Sequence, residues 1–242
     1  MTFCLTMKVK DGLVGIADTR ITTGNECSTA RKVTIYQTSQ RHSMFLMTSG
    51  LRSVRDKALT YFKEILEEEG REFNKLYKLV NAFADQVKRV ADEDGKLLKE
   101  RGFNFNLNAL VAGQLCDDSE NKLYMLYPEG NWVEVGENSP FFIIGNSGYG
   151  KPLLNRVINF NSSMGYALKA GVLAFDSTRV CANDVGYPID IILYKNNSFR
   201  IVTHRFDHSD LDSYSRAWQQ KISQALDDLP DEWVASVFAK FQ

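Results

Sequence analysis

Short stretches of apolar residues, alternating or continuous, predict β-strands near the beginning of the chain. Residues 2–9 and 12–18 are separated by an Asp-Gly pair, which between two apolar stretches is a strong hairpin signal. Residues 33–37 and 44–48 form a second pair of strands around the polar turn Ser-Gln-Arg-His-Ser. We expect these four strands to form one sheet.

The apolar pattern then changes to spacings of three and four residues, which is typical of helices with one buried face. A first helix with apolar residues from Val54 to Leu66 ends at Gly70, and a second starts its apolar face at Leu76 and extends to about Glu100. We expect the two helices to pack as an antiparallel pair on one face of a sheet.

The rest of the chain repeats this alternation of strands and helices. Strands are predicted in 103–113, in 122–135 as a hairpin around Pro-Glu-Gly-Asn, and in 141–145, and we expect them to form a second sheet. The elements predicted after them are two helices at 151–160 and 163–175, a hairpin of 188–195 and 199–204, and a helix at 211–226.

This order of elements predicts an α+β fold with four layers. Each strand group is followed by a helix pair that can cover its outer face, so the expected arrangement is an αββα sandwich, two antiparallel sheets between two helix layers. No proline- or serine-rich linker, repeat or low-complexity tract interrupts the order. We therefore predict a single domain over residues 1–242.

Charge and composition exclude several classes of partner. The 29 basic and 30 acidic residues leave no net field that would attract nucleic acid or an anionic membrane. No apolar run approaches the roughly 20 residues that span a bilayer, and the N-terminus lacks the basic and apolar segments of a secretory signal. We expect a cytoplasmic protein whose four scattered cysteines are reduced packing residues.

Thr2 is the first candidate for chemistry. A threonine hydroxyl needs a base, and an N-terminal threonine can use its own α-amine, whose pKa is about 8 when unperturbed. That amine is free only if Met1 is removed, a common processing step where the next residue is small. Without further context, Thr2 is more simply a β-branched residue in a first strand.

Three charged residues change this interpretation. Asp18 and Arg20 close the second strand, and Lys32 opens the third after a polar loop over 22–31. Antiparallel pairing of the first two strands brings Asp18 back beside Thr2. A lysine there would lower the pKa values of the hydroxyl and the amine, and a carboxylate between them would orient the lysine. Taken singly, Asp18 and Arg20 also fit an ordinary ion pair at a strand end, and Lys32 also fits a solvated surface lysine.

Several blocks of the sequence resemble a known family. They match the proteasome β-subunit pattern of the N-terminal nucleophile hydrolases over nearly the whole chain, and they are similar to the bacterial proteasome-like Anbu family, which also begins directly at Met-Thr. The blocks are G-L-V-G-I-A-D-T-R, R-K-V-T-I-Y, F-L-M-T-S-G, G-Y-G-K-P-L-L-N-R-V, F-D-S-T-R and V-G-Y-P-I-D.

The resemblance implies a site and an assembly. It implies Thr2 as the nucleophile with its amine as the base, Asp18 and Lys32 as the activating pair, and the backbone N–H of Gly50 as the oxyanion donor. The supporting residues that it implies are Arg20, Ser147, Asp176 and Ser177. It also implies a peptide or unfolded protein substrate, no metal or cofactor, and a homo-oligomer in which dimers build an open ring or a helical assembly.

Rival motifs in the same chain are incomplete. Residues 145–151 match G-x-x-x-x-G-K between a strand and a helix, as a phosphate loop requires, but Pro152 stands where Ser or Thr would bind magnesium. His204 and His208 lack a helical frame for metal binding and are more simply part of a solvated turn. His42, in the polar turn between two strands, is expected at the surface.

We therefore predict a threonine-type endopeptidase, with a non-catalytic, self-assembling proteasome-like subunit as the alternative. The joint presence of Thr2, Asp18 and Lys32 favours the enzyme, because a scaffold has no chemical need of that set.

Overall fold

Two five-stranded antiparallel sheets form the centre of the computed structural model, which describes residues 2–23, 26–38, 41–70 and 72–241. The contacts divide the chain into two compact units, the first ending at Asp207 and the second beginning at His208. The single domain over 1–242 stays a prediction.

The strands are β1 (Phe3–Val9), β2 (Gly12–Asp18), β3 (Arg20–Thr23), β4 (Glu26–Thr29), β5 (Val33–Thr38), β6 (His42–Gly50), β7 (Leu107–Gln114), β8 (Lys122–Leu126), β9 (Trp132–Glu134), β10 (Phe141–Gly145), β11 (Ile189–Lys195) and β12 (Ile201–Phe206). The helices are α1 (Arg52–Glu68), α2 (Leu76–Glu100), α3 (Lys151–Val157), α4 (Met164–Cys181), α5 (His208–Asp227) and α6 (Glu232–Phe238), followed by a 3₁₀ turn at Ala239–Phe241.

The distribution of strands between the two sheets differs from the expectation. The first sheet has the order β10-β1-β2-β11-β12 and the second has the order β5-β6-β7-β8-β9. The four predicted hairpins are present, but placing the first four predicted strands in one sheet was wrong, as was placing β10 with β7 and β8. Turn residues determine which neighbouring strands pair, whereas the neighbour of a hairpin is chosen by packing between distant segments.

Two layers of helices cover the outer faces of the sheets. On the second sheet, α1 and α2 pack against each other and the strands, with the rings of Phe62 and Phe83 edge to face at 5.2 Å. On the first sheet, Phe175 of α4 contacts Phe3 of β1 at 6.0 Å. Every residue of β1 and β2 is buried, because helices cover one face and the other sheet covers the opposite face. The αββα sandwich is thereby confirmed.

Several local predictions need correction. The polar loop over 22–31 contains a short antiparallel pair, β3 and β4. His42 is only 2% exposed because it begins β6 and its ring lies 3.3 Å from the Thr38 hydroxyl, so the surface assignment was wrong. Ser39 and Gln40 of the predicted turn lie outside the described residues. Beyond α5, the structure adds α6, which the sequence analysis did not predict.

The four cysteines are free thiols, as expected, but they do not share one role. Cys4 is fully buried between the two sheets, whereas Cys27 and Cys181 are exposed. Only Cys4 therefore fits the prediction of a packing residue well. Within the described ranges, no helix is both long and apolar enough to cross a membrane.

Candidate active site

A pocket of about 670 Å³ opens at the beginning of β1. Thr2 and Lys32 lie in its wall together with Gly50, which ends β6. Thr2 is 8% exposed, so its side chain is largely enclosed but still reaches the cavity. The predicted nucleophile, the predicted lysine and the predicted oxyanion donor thus share one cavity.

The backbone of Thr2 is held in place by the end of β10. Its carbonyl oxygen accepts a hydrogen bond from the Asn146 N–H at 2.7 Å. Gly145 pairs with Phe3 in the sheet and has a φ of 84°, and a Cβ at this position would overlap the Thr2 carbonyl oxygen. Glycine is therefore required for β10 to approach the beginning of the chain so closely.

Asp18 and Lys32 form a buried ion pair next to the beginning of β1. The distance from Lys32 Nζ to Asp18 Oδ1 is 2.6 Å, and the two side chains are 3% and 0% exposed. The N–H of Phe3, the residue after Thr2, donates to the same carboxylate oxygen at 2.9 Å. The N–H of Gly186 lies 3.5 Å from the other oxygen. These contacts hold the side chain of Lys32, a residue that lines the pocket.

The environment of Asp18 pulls its pKa in two directions. Burial raises the pKa of the carboxyl group, because charge is poorly solvated in the interior. The charge and hydrogen bond of Lys32 and the donors Phe3 and Gly186 oppose this rise. The pKa remains above the usual value for aspartate. Among the groups that favour the ionised form of Asp18, Lys32 has the largest effect.

The end of β2 is tied to the segment before β11 by two side chains. Arg20 donates from Nη1 to the carbonyl of Asn183 at 2.7 Å. Thr19, which is fully buried, donates from Oγ1 to the carbonyl of Pro188, also at 2.7 Å. Sequence reasoning missed Thr19, although its position next to Asp18 at a strand end was the available signal. These bonds hold the Asp18 side of the pocket.

Three of the four supporting residues predicted for the site are not among the described residues that line the pocket. Ser147 follows β10, and its carbonyl accepts from the Lys151 N–H at 3.1 Å as α3 begins. Asp176 on α4 forms an ion pair with Arg179 at 2.7 Å, and Ser177 is half-buried on the same helix. Among the described residues that line the pocket, Ser147, Asp176 and Ser177 are absent.

Gly50, at the end of β6, has a positive φ, and it is exposed to the pocket. Its φ is 136°, and a Cβ would overlap the carbonyl oxygen of Asn106, to which the Leu51 N–H donates at 2.8 Å. Only glycine fits this backbone conformation without strain. The main chain of Gly50 is consequently exposed along the pocket wall.

The rival motifs do not gain support from the structure. The strand before the G-x-x-x-x-G-K segment, β10, runs antiparallel to β1, whereas a phosphate loop follows a strand of a parallel sheet. His204 lies in β12 with its ring 4.4 Å from that of Phe206. In the part of the chain that the structure describes, no three histidine, cysteine or acidic side chains converge on a metal site.

The layer order and sheet topology define the fold class as the α+β sandwich of the N-terminal nucleophile hydrolases. A family model described as "Proteasome subunit" matches residues 2–187, and the chain belongs to this family. The search of curated proteins gave no match.

Solved structures of Anbu from three bacteria resemble this chain. The helical assembly of the Anbu complex from Pseudomonas aeruginosa has a TM-score of 0.88 at 25% identity, covering 94% of this chain and 97% of that chain. Anbu from Hyphomicrobium sp. strain MC1 has a TM-score of 0.83 at 26% identity, covering 94% and 98%. Anbu (ancestral beta-subunit) from Yersinia bercovieri has a TM-score of 0.87 at 24% identity, covering 94% and 98%, and supports the fold alone. The resemblance to the bacterial proteasome-like Anbu family is confirmed.

Proposed function

We propose that this chain is a threonine-type endopeptidase in which Thr2 is the nucleophile. The observation that carries the proposal is the buried ion pair of Lys32 and Asp18, whose carboxylate also binds the N–H of the residue following Thr2. Burying an ion pair costs solvation energy and is weak evidence for a role in stability. A positive charge enclosed beside a threonine hydroxyl is, in contrast, what activation of that hydroxyl requires.

The reaction follows from the groups around the pocket. The α-amine of Thr2 takes the proton from Thr2 Oγ1 as this oxygen attacks the peptide carbonyl, and the ammonium of Lys32 favours the alkoxide. The N–H of Gly50 donates to the oxyanion. The protonated amine then gives its proton to the leaving amine, which leaves an ester between Thr2 and the acyl group. Water, activated by the same amine, hydrolyses this ester.

Removal of Met1 is a condition of this mechanism, because only a free α-amine on Thr2 can act as the base. Met1 lies outside the described residues. Arg20, Ser147, Asp176 and Ser177 stay predictions as supporting residues. Arg20 lines the pocket and is the one of these four that contacts the cavity directly in the described residues.

We further propose a cytoplasmic homo-oligomer that cleaves peptides or unfolded proteins without a metal or cofactor. The Anbu complex of Pseudomonas aeruginosa is described as a helical assembly, which supports a repeating contact between copies of this chain. The same likeness favours the second candidate, a non-catalytic assembly subunit, because assembly needs no nucleophile.

The test is covalent labelling with a peptide epoxyketone, followed by intact mass and peptide mapping. We expect protein from its native host to lack Met1, wild type to gain one probe on Thr2, and Thr2→Ala to gain none. Thr60→Ala is the matched control, since Thr60 is exposed on α1 and its hydroxyl donates only to a carbonyl of its own helix at 2.9 Å. Retention of Met1 together with equal or no labelling of wild type and Thr2→Ala would support the assembly subunit instead.

A further inference from the structure

The charged residues that line the pocket beside Thr2 all have the same sign. Arg20, Lys32, Arg52 and Arg55 lie in its wall, and no carboxylate is among the described residues of the lining. Ile21, Leu51 and Phe103 add apolar surface. A cavity of this composition suits a ligand with a short aliphatic stem and an anionic end.

Only part of this positive charge is neutralised by the protein itself. Lys32 is paired with Asp18. Asp56 accepts from Arg55 at 2.7 and 2.8 Å and lies 3.3 Å from Arg52, but Asp56 is half exposed and does not line the pocket. Arg20 donates to a neutral carbonyl. Four cations therefore face two carboxylates, so about two positive charges remain for a ligand.

The beginning of α1 adds to the positive potential of the same wall. This helix of 17 residues starts at Arg52, has no side-chain cap at Leu51, and carries no acidic residue in its first turn. Its first N–H groups have no partner within the helix, and the helix dipole places partial positive charge there. A helix beginning alone does not make a binding site, but here it coincides with the arginines of the pocket.

An unpartnered hydroxyl group lies in this wall. Thr48 is 2% exposed and lines the pocket, and its Oγ1 has no hydrogen-bond partner among the described residues. Met44, Leu46 and Thr48 are spaced two residues apart in β6, so their side chains lie on the same face of the strand. This face packs beneath α1. A buried hydroxyl without a partner is costly and commonly marks a place where a ligand completes the hydrogen bonding.

We infer that the pocket selects substrates in which the residue before the cleaved bond is glutamate or aspartate. The inference rests on the proposed function, because attack by Thr2 on a carbonyl places the side chain of that same residue in the adjoining cavity. Its carboxylate would accept from Arg52, the more exposed and less tightly paired of the two arginines on α1, and from the Thr48 hydroxyl. Arg52 and Thr48 are thus specificity-determining residues.

The experiment uses three N-acetylated tripeptide epoxyketones that differ only at the residue bearing the warhead, which is glutamate, leucine or lysine. Each lacks a free C-terminal carboxylate, so the side chain is the sole acid. We expect the rate constant for labelling Thr2 to be about tenfold higher for glutamate than for leucine, and lowest for lysine, as one charge-assisted hydrogen bond at a partly exposed site predicts. Added salt should reduce this ratio.

Two variants of Arg52 test the cause of the preference. Arg52→Gln removes one of the two excess positive charges and should lower the glutamate-to-leucine ratio, and Arg52→Glu removes both and should reduce this ratio to near one. Arg156→Gln is the matched control, since Arg156 is an exposed arginine on α3 outside the pocket. Circular dichroism verifies that each variant is folded.

The possible outcomes separate the two proposals. Labelling of Thr2 with equal rates for glutamate and leucine, or with a ratio that Arg52→Glu does not change, overturns the acidic preference and leaves the peptidase proposal standing. If none of the three probes labels Thr2 in protein that lacks Met1, both proposals fail.

Discussion

Replacing Lys32 by methionine tests the central feature of the site, the buried ion pair. Methionine has nearly the length of the lysine stem, so it fills the space without the charge. Asp18 would then be fully buried with only the backbone N–H groups of Phe3 and Gly186 as donors, at 2.9 and 3.5 Å. We expect Lys32→Met to abolish labelling of Thr2 and to destabilise the fold.

The expected loss of stability is about 3–5 kcal/mol at pH 8, the usual cost of removing one partner of a buried ion pair. Asp18 can relieve part of this cost by binding a proton. Its folded-state pKa is already raised by burial, and the loss of Lys32 raises that pKa further. A carboxyl group whose folded pKa lies above its unfolded value of about 3.9 contributes stability that is lost as pH rises between these two values. The penalty relative to wild type should therefore shrink as pH falls from the folded pKa of the variant to that of wild type, by up to about 1.4 kcal/mol for each pH unit.

The assay is urea unfolding followed by circular dichroism at 222 nm, at pH 5 and pH 8 and at one fixed protein concentration, because assembly makes stability concentration-dependent. Lys63→Met, at an exposed lysine of α1, is the matched control and should change stability by less than about 0.5 kcal/mol. The double variant Asp18→Asn with Lys32→Met removes both charges. Its loss of stability should be smaller, by about 2 kcal/mol, than the sum of the losses in the two single variants, and it should remain inactive.

The reasoning would be refuted if Lys32→Met matched wild type to within about 1 kcal/mol at pH 8. It would also be refuted if the penalty were larger at pH 5 than at pH 8, since protonation of Asp18 can only diminish the cost of leaving this carboxyl group unpaired.

Two further predictions use glycine geometry and thiol burial. Gly50→Ala should abolish labelling of Thr2 and lower the free energy of unfolding in urea by about 1–3 kcal/mol. The reason is that residue 50 has a positive φ and a Cβ there would overlap the Asn106 carbonyl oxygen. A variant with the stability and labelling of wild type would contradict this. Iodoacetamide should alkylate the exposed Cys27 and Cys181 in the native protein and spare Cys4, whose thiol is fully buried and whose pKa is raised by burial. Peptide mapping checks this, and alkylation of Cys4 without denaturant at the rate of Cys27 would contradict it.

The sequence was sufficient for four of the hairpins, for the helices α1 to α5 and for the fold class, but not for the β3–β4 pair or α6. An Asp-Gly pair between apolar stretches requires a tight turn, and apolar residues three and four apart require a helix with one buried face, so β1 with β2 and α1 with α2 could be predicted locally. The same locality explains the errors in the sheets. The pairing of β6 with β7 joins segments on either side of the α1–α2 hairpin, and no residue in either strand specifies that neighbour.

For the candidate site, the sequence by itself determined the set of chemical groups, namely a threonine, a carboxylate and a lysine at strand ends, and the resemblance to a family gave their expected roles. Only the tertiary structure decided that Asp18 and Lys32 are buried as a pair at 2.6 Å, that Thr19 and Gly186 support them, and that arginines from a separate helix face the same cavity. Burial and convergence depend on how two sheets and a helix pack against one another, which is a property of distant contacts that local patterns of residues do not encode.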